Sequence, residues 1–358
     1  MKIGIITQPL HNNYGGILQN YALQEVLKRL GHSPITLEGR HYSFFMYIYL
    51  KLRTYIVGNE KQYRRYIAPP FKKRNVPRLT WRFVYKYINL SSPHYSHSEQ
   101  NIRNNELDSV IVGSDQVWRP RYNCHRLFSN FLEHCQNLTI KKVAYAASFG
   151  TSDWEYTKEQ EDRCARLIQQ FDAISVREES GVQLCAEHLK RNDAVWVLDP
   201  TLLLNKKDYE YLCRKIKSSK NYRKTLLAYI LDPTEDLVSN LKNLAEVENM
   251  ELNLVYAEDG MTRSVEEWLA QFRDADAVIT NSYHGTIFSI IFQKPFYTII
   301  NAGRGADRFN SLLSSLNISD RLVDYPPLMI TDINWASISL RLNQLSELSF
   351  KFLKNALN

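Results

Sequence analysis

No apolar run in this 358-residue chain approaches the roughly 18 residues that a transmembrane helix needs. Cysteine is scarce: five residues, an odd number, with no C-x-x-C pair. That excludes a disulfide framework and fits reduced thiols in a cytoplasm. The neighbours Cys124-His125 and His134-Cys135 match no standard zinc spacing, and adjacent ligands rarely share a tetrahedron, so no metal is expected. The first ten residues, M-K-I-G-I-I-T-Q-P-L, lack the longer apolar core and small-residue cleavage site of a secretory signal. The loop after this first strand is not the G-x-G-x-x-G fingerprint, so no dinucleotide is implied. Internal repeats, low-complexity tracts and recognised nucleic-acid motifs are also missing, and nucleic acid is not an expected partner.

What is present is ordinary globular material, 44% hydrophobic and 23% charged, long enough for two domains. The net charge of +7 is unevenly spread. Residues 40–90 hold twelve Lys or Arg against the single acid Glu60, which leaves the remainder mildly acidic. The same segment is rich in aromatics, among them Tyr42, Phe44, Phe45, Tyr63, Trp81 and Phe83. Two readings fit it. One is a helical excursion that packs its rings and solvates its charges; the other is peripheral contact with an anionic membrane.

Strand and helix patterns alternate along the rest. Lys2–Thr7 reads as a strand, Q-P-L-H-N-N-Y-G-G as a turn-rich loop, and about Ile17–Leu30 as a helix ending at Gly31. Ser33–Leu37 is a second strand, and two or more helices with a break near Pro69-Pro70 are expected in the basic segment. Strands follow at Ser109–Val112, Lys142–Ala147, Ala173–Val176 and Ala194–Leu198, with a helix over residues 157–170. The Lys- and Ser-rich stretch up to Arg223 reads as an interdomain linker containing a helix. A second alternation then begins: strands at Thr225–Ile230, Glu251–Tyr256, Ala277–Thr280 and Pro295–Ile300, helices at Thr234–Glu248 and Ser264–Phe272, and one or two amphipathic helices over Asn334–Leu357. The expectation is an α/β protein of two Rossmann-like doubly wound domains, residues 1–204 and 205–358, with a cleft between them.

Candidate site residues cluster at strand ends. Asn281-Ser282-Tyr283 breaks the run Ala277–Thr280, and Gly285-Thr286 opens an apolar helix. A strand turning directly into a helix leaves backbone N–H groups facing an anion site. There Gly285 would let a ligand approach, Ser282 and Thr286 would donate hydroxyls, and His284 would give or take a proton. The structural alternative is an α/β crossover with a capping Ser or Thr and an incidental His. Asp115 and Gln116 follow the strand Ser109–Val112, and polar groups in that position point into a ligand crevice. Arg177 ends the strand Ala173–Val176, where a guanidinium can clamp a phosphate or carboxylate or pair with a surface acid. Its replacement by Ala is expected to weaken ligand binding far more than stability. Arg304 and Arg308 lie on a Gly- and Arg-containing loop running into a helix, a second anion site.

Taken together, N-Y-G-G-I-L-Q-N-Y-A-L-Q, G-S-D-Q-V-W, S-V-R-E-E-S-G, L-D-P-T-L-L-L and N-S-Y-H-G-T-I-F-S resemble the polysaccharide pyruvyl transferase family over nearly the whole chain except residues 40–90. The resemblance implies a GT-B-like fold and transfer of the pyruvyl group of phosphoenolpyruvate onto a sugar as a ketal, with no cofactor or metal. It implies a saccharide acceptor, lipid-linked where the work is done at the inner face of the cell membrane. In that chemistry Arg177 and the helix start at Gly285-Thr286 would hold the anions. His284 would be phosphate ligand or general acid, and Asp115 the base. Asn13, Gly15, Gly16 and Gln116 join the substrate-binding set. Ser282-Tyr283 stands where family members often carry Arg-Leu, so one phosphate-binding Arg has no counterpart there, and Arg304 and Arg308 are the substitutes at hand. The alternatives are a GT-B glycosyltransferase using a nucleotide sugar, or a non-catalytic member of a polysaccharide assembly complex.

Overall fold

The computed structural model of the chain describes residues 1–10, 13–37, 78–91, 98–218, 223–256, 263–301 and 305–358. Most of the basic segment, including the expected helices around Pro69-Pro70, and Arg304 lie outside the described residues.

The first sheet is built from β1 (Lys2–Ile6), then α1 (Tyr14–Arg29), β2 (Ser33–Thr36), α2 (Arg78–Tyr87), α3 (Glu99–Asn104), β3 (Ser109–Gly113) and β4 (Lys141–Ala147). It continues through α4 (Lys158–Ile168), β5 (Ala173–Val176), α5 (Glu179–Glu187) and β6 (Val195–Trp196). Its order is β2-β1-β3-β4-β5-β6, with every pair parallel. Helices cover both faces of such a sheet, so its strands must be apolar on both sides. Ile3, Ile5, Ile6, Val110, Ile111 and Val112 meet that demand and are fully buried. The strand order reverses between β1 and β3, which opens a crevice beyond their carboxyl ends.

After α6 (Lys206–Cys213) the second sheet forms from β7 (Thr225–Ile230), α7 (Glu235–Val247), β8 (Glu251–Tyr256), α8 (Val265–Asp274), β9 (Ala277–Thr280), α9 (Tyr283–Ile291), β10 (Phe296–Ile299), α10 (Asp307–Ser315) and β11 (Leu322–Val323). Its order, β11-β10-β9-β7-β8, is again all parallel and reverses between β7 and β9. Two Rossmann-like sheets make this a GT-B-like fold. The tail is one helix, α11 (Trp335–Leu357), which crosses back to the first sheet. There the Leu198 amide donates to Ser349 Oγ at 3.1 Å, and Phe352 lies 6.2 Å from the Tyr145 ring. No helix of the described residues is long and apolar enough to cross a membrane.

Helix starts follow their caps. Thr157 with Gln160, and Ser264 with Glu267, form reciprocal capping boxes that fix α4 and α8. The start of α1 departs from the sequence reading. Asn13 Oδ1 accepts from the Gly16 amide at 3.1 Å, so the helix begins at Tyr14 and takes in Gly15 and Gly16, which read as loop. A strong N-cap outweighs the weak helix propensity of two glycines. Within α2, Phe83 and Val84 are buried, and Tyr21 meets Phe83 edge-on at 5.8 Å. Arg82, Tyr85 and Lys86 are exposed. This part of the basic segment therefore packs its apolar face and solvates its charges.

Candidate active site

The two switch points face each other. Beyond β1 and β3 stand the first turn of α1 and the loop carrying Asp115. Beyond β7 and β9 stands α9, whose entry is fixed when the Leu231 amide donates to Asn281 Oδ1 at 2.7 Å. Gly15 and His284 meet where these parts join: a Cβ added to Gly15 would fall 2.1 Å from His284 Nδ1. Only glycine lets the α1 backbone approach the imidazole so closely. Tyr14 stacks on Trp268 at 5.3 Å and donates its hydroxyl to the Arg263 carbonyl at 2.9 Å, so α1 is held by the second sheet's helices.

Arg177, at the end of β5, is fully buried rather than poised at a surface. Its Nη1 donates to Asp199 Oδ2 at 2.8 Å, and its Nη2 lies 3.6 Å from Asp115 Oδ1. Asp199 Oδ1 accepts from both the amide and the hydroxyl of Thr201. His284 Nε2 lies 3.7 Å from Asp199 Oδ2, beyond hydrogen-bond range. Burial alone would raise the Asp199 carboxyl; His284, Arg177 and Thr201 outweigh it and hold the group well below the usual carboxylate range. Glu178, also buried, accepts from the amides of Phe149 and Gly150 through Oε1, and burial pushes its carboxyl up. Arg177 Nε and Nη2, His284 Nε2 and Glu178 Oε2 are buried without a hydrogen-bond partner. Such atoms are costly in a finished core and at home in a site that awaits a ligand.

Several expectations change in this geometry. Arg177→Ala would leave Asp199 buried and uncompensated, so it must damage stability as well as binding. Gly285 is not open to a ligand on its Cα side, because a Cβ there would meet Thr280 Oγ1 at 2.3 Å; its absent side chain serves strand–helix packing. Its amide donates to Ser282 Oγ at 3.3 Å, which makes Ser282 the cap of α9. The Thr286 hydroxyl is fully buried, donating to the Ser282 carbonyl and sharing a bond with Thr298 Oγ1, so it is not offered to the cleft. The N–H groups of Tyr283 and His284, in the first turn, are those that a helix of this geometry leaves for an anion. Gln116 Oε1 accepts from Arg119 Nη1 at 3.1 Å, and its carbonyl accepts from the Gln8 and Asn123 amides, so it braces the loop behind Asp115. Arg308 is buried in the first turn of α10. Asp199, Glu178 and Tyr283 were not singled out from the sequence as site residues. The position of Asp199 just past the end of the apolar run Ala194–Leu198, before Pro200, was the available signal. Among the described residues no group of three His, Cys, Asp or Glu side chains could hold a metal ion.

Paired Rossmann-like sheets with basic and acidic groups at facing switch points make a GT-B-like layout. The chain belongs to the polysaccharide pyruvyl transferase family, whose model matches residues 13–303. No curated protein matches it in sequence. Among solved structures, it is similar to a glycosyltransferase from Rickettsia africae at 10% identity and TM-score 0.49, covering 100% of this chain and 94% of that one. It is also similar to the UDP-GlcNAc 2-epimerase of Methanocaldococcus jannaschii in complex with UDP-GlcNAc and UDP, at 12% identity and TM-score 0.47, covering 96% and 92%. The UDP-N-acetylglucosamine 2-epimerase of Rickettsia bellii follows at 11% identity and TM-score 0.44, covering 100% and 99%.

Proposed function

We propose that this protein transfers the pyruvyl group of phosphoenolpyruvate onto two hydroxyls of a sugar in a cell-surface polysaccharide or its lipid-linked precursor, forming a pyruvate ketal and releasing phosphate. The observation that carries this reading, beside family membership, is the convergence of Arg177, His284 and Asp115 with two helix starts at the facing switch points. The methylene carbon of the donor must first gain a proton, which creates an oxocarbenium-like centre at C2. In this reading His284 supplies the proton. One sugar hydroxyl adds to C2 and gives up its proton to Asp115. The second hydroxyl then displaces phosphate, its proton leaving with the phosphate, and the ketal closes. Arg177 and the first-turn N–H groups of α9 hold the anionic groups throughout, where a low dielectric strengthens them. No cofactor or metal has a step in this scheme.

Two results would support the reading. Phosphoenolpyruvate at about 100 times its dissociation constant is expected to stabilise the fold by ~2.7 kcal/mol, a clear rise in melting temperature, while a panel of nucleotide sugars gives none. Mass spectrometry of lipid-linked saccharides incubated with the protein and phosphoenolpyruvate is expected to find a pyruvyl adduct. Stabilisation by a nucleotide sugar instead would turn the reading to glycosyl transfer. Tight saccharide binding without turnover would turn it to a non-catalytic role.

The cationic surplus of residues 40–90 supports a second element of the proposal, a peripheral stay at anionic membrane where a lipid-linked acceptor is found. Each cation near such a surface contributes about 1 kcal/mol, screened by salt. Sedimentation with vesicles is expected to favour anionic over neutral lipid at low salt; equal partition would remove the membrane from the proposal.

A further inference from the structure

We propose that Asp199 is a positioning residue for His284: it keeps the proton of the neutral imidazole on Nε2 and leaves Nδ1 as the nitrogen that exchanges protons in the site. The placement of that proton is independent of the donor reading above. The atom that receives a proton in turnover, the methylene carbon of phosphoenolpyruvate, rests on that reading. The two residues come from different sheets: Asp199 lies just beyond β6, and His284 in the first turn of α9. Both are buried. Asp199 Oδ1 is committed to Thr201, accepting from its amide at 3.0 Å and from its hydroxyl at 2.6 Å. That anchor leaves Oδ2 to Arg177 Nη1, at 2.8 Å, and to His284 Nε2, at 3.7 Å. A carboxylate oxygen has two lone pairs and can serve both.

Two observations separate the ring nitrogens. Nε2 is sealed from solvent, so a substrate does not reach it, and the 7% of His284 that stays exposed lies elsewhere on the residue. Nδ1 faces the first turn of α1, where Gly15 leaves the room that a Cβ, 2.1 Å away, would take. Electrostatics then decides which nitrogen carries the proton. Burial works against the ionised carboxyl of Asp199, but His284, Arg177 and Thr201 overcome it, so the group accepts and does not donate. A bare lone pair on Nε2 would be repelled by that charge, whereas an N–H is attracted to it. A neutral imidazole has one N–H, so the lone pair falls to Nδ1. An approach of about 0.5 Å brings Nε2 within hydrogen-bond range of Oδ2, and such contacts tighten when a ligand is bound. With a second proton on Nδ1 the ring is an imidazolium whose charge faces Asp199. In turnover Nδ1–H gives its proton to the methylene carbon, and the C=C electron pair forms the new C–H bond. C2 becomes the oxocarbenium-like centre, and the imidazole returns to its neutral form with the remaining proton on Nε2.

The test is nitrogen NMR of the full chain carrying isotope-labelled histidine, observed with the imidazoles neutral, for wild type, Asp199→Asn and Thr201→Val. The His284 signals are those absent from His284→Asn, and circular dichroism confirms which variants fold. Wild-type His284 is expected to carry its proton predominantly on Nε2. Asp199→Asn removes the charge, and it is expected to shift the balance toward Nδ1–H and to lower kcat about a hundred-fold or more, the contribution of one general acid. Thr201→Val keeps the charge but loosens its aim. It should lower kcat about three- to tenfold, the range of one hydrogen bond, while the KM for phosphoenolpyruvate stays within about twofold. A merely structural role would not move the tautomer or split kcat from KM. Wild-type His284 with its proton on Nδ1 overturns the inference. So does a folded Asp199→Asn with the wild-type tautomer balance. If Asp199→Asn does not fold, an unchanged kcat in Thr201→Val overturns it equally. A proton on Nε2 that moves in Asp199→Asn, with no turnover of phosphoenolpyruvate by the wild type, upholds the placement and removes the donor reading.

Discussion

Asp199→Ala is expected to lower the melting temperature by about 10 °C or more, the largest stability loss of any single change at this site. The reason is the geometry of Arg177: fully buried, one nitrogen 2.8 Å from an equally buried carboxylate. Removing one partner of such a pair strands the other charge and costs about 3–5 kcal/mol. A domain's whole stability is ~5–15 kcal/mol, and each kcal/mol moves the midpoint by ~2–4 °C at this size. The pH dependence gives a second readout. The Asp199 carboxyl lies below its ordinary value of 3.8 in the folded state, so its contribution is full above that value and disappears as pH falls through the folded one. Glu178 has the opposite sign: its carboxyl is raised in the folded state, so its burial costs stability at neutral pH and the cost is relieved on acidification. Asp199→Asn should therefore flatten the acid limb of the stability curve, and Glu178→Gln should not. Thermal scans by circular dichroism from neutral to acid pH measure both. A melting point for Asp199→Ala within about 2 °C of wild type would mean that the ion pair does not hold this part of the fold.

The alternation of strands and helices was legible because a parallel sheet imposes apolar runs and a helix imposes its spacing. β5, β7, β8 and β9 occupy the residues read for them, Ala173–Val176, Thr225–Ile230, Glu251–Tyr256 and Ala277–Thr280. Errors fell where one local signal overrode another. Gly15 and Gly16 carry the composition of a loop, and Asn13 makes them helix. The two-residue β11 is too short to leave a periodic trace. The site was legible only as single residues at strand ends. Asp199 and Arg177 are 22 residues apart in sequence, and nothing local says that their charges neutralise each other in the core. Thr286 and Gly285 illustrate the converse. Their residue types suit a ligand, but one hydroxyl turns inward and one missing Cβ makes room for Thr280. Tyr283 interrupts a strand pattern in sequence; that its ring lies 4.8 Å from Arg177 Cζ, on the first sheet, and 5.2 Å from Arg308 Cζ, beside the second, shows only in the assembled fold.

Replacing His284 by Asn is expected to lower turnover at least about a hundred-fold while the melting temperature stays within a few degrees. His284 is buried at the first turn of α9, against Gly15 of the other domain, yet its Nε2 has no hydrogen-bond partner. A histidine kept for packing would be satisfied there, since an unmet buried nitrogen costs stability and earns nothing structurally. Asn is smaller, keeps a polar group toward Asp199 and relieves rather than worsens the contact with Gly15, so the fold should tolerate it. What Asn cannot do is deliver a proton, and one general acid contributes about 10²–10⁴-fold. Titration separates the two roles that the geometry leaves to this residue. Donor affinity that falls with turnover makes His284 an anion ligand; affinity that holds while turnover collapses makes it the proton donor to the methylene carbon. Asp115→Asn is the matching control, because a lost base should slow the reaction without weakening the donor. A folded His284→Asn variant with near-normal turnover would move the chemistry away from the meeting point of the two switch points, toward Asp115 and Glu178 on the first sheet.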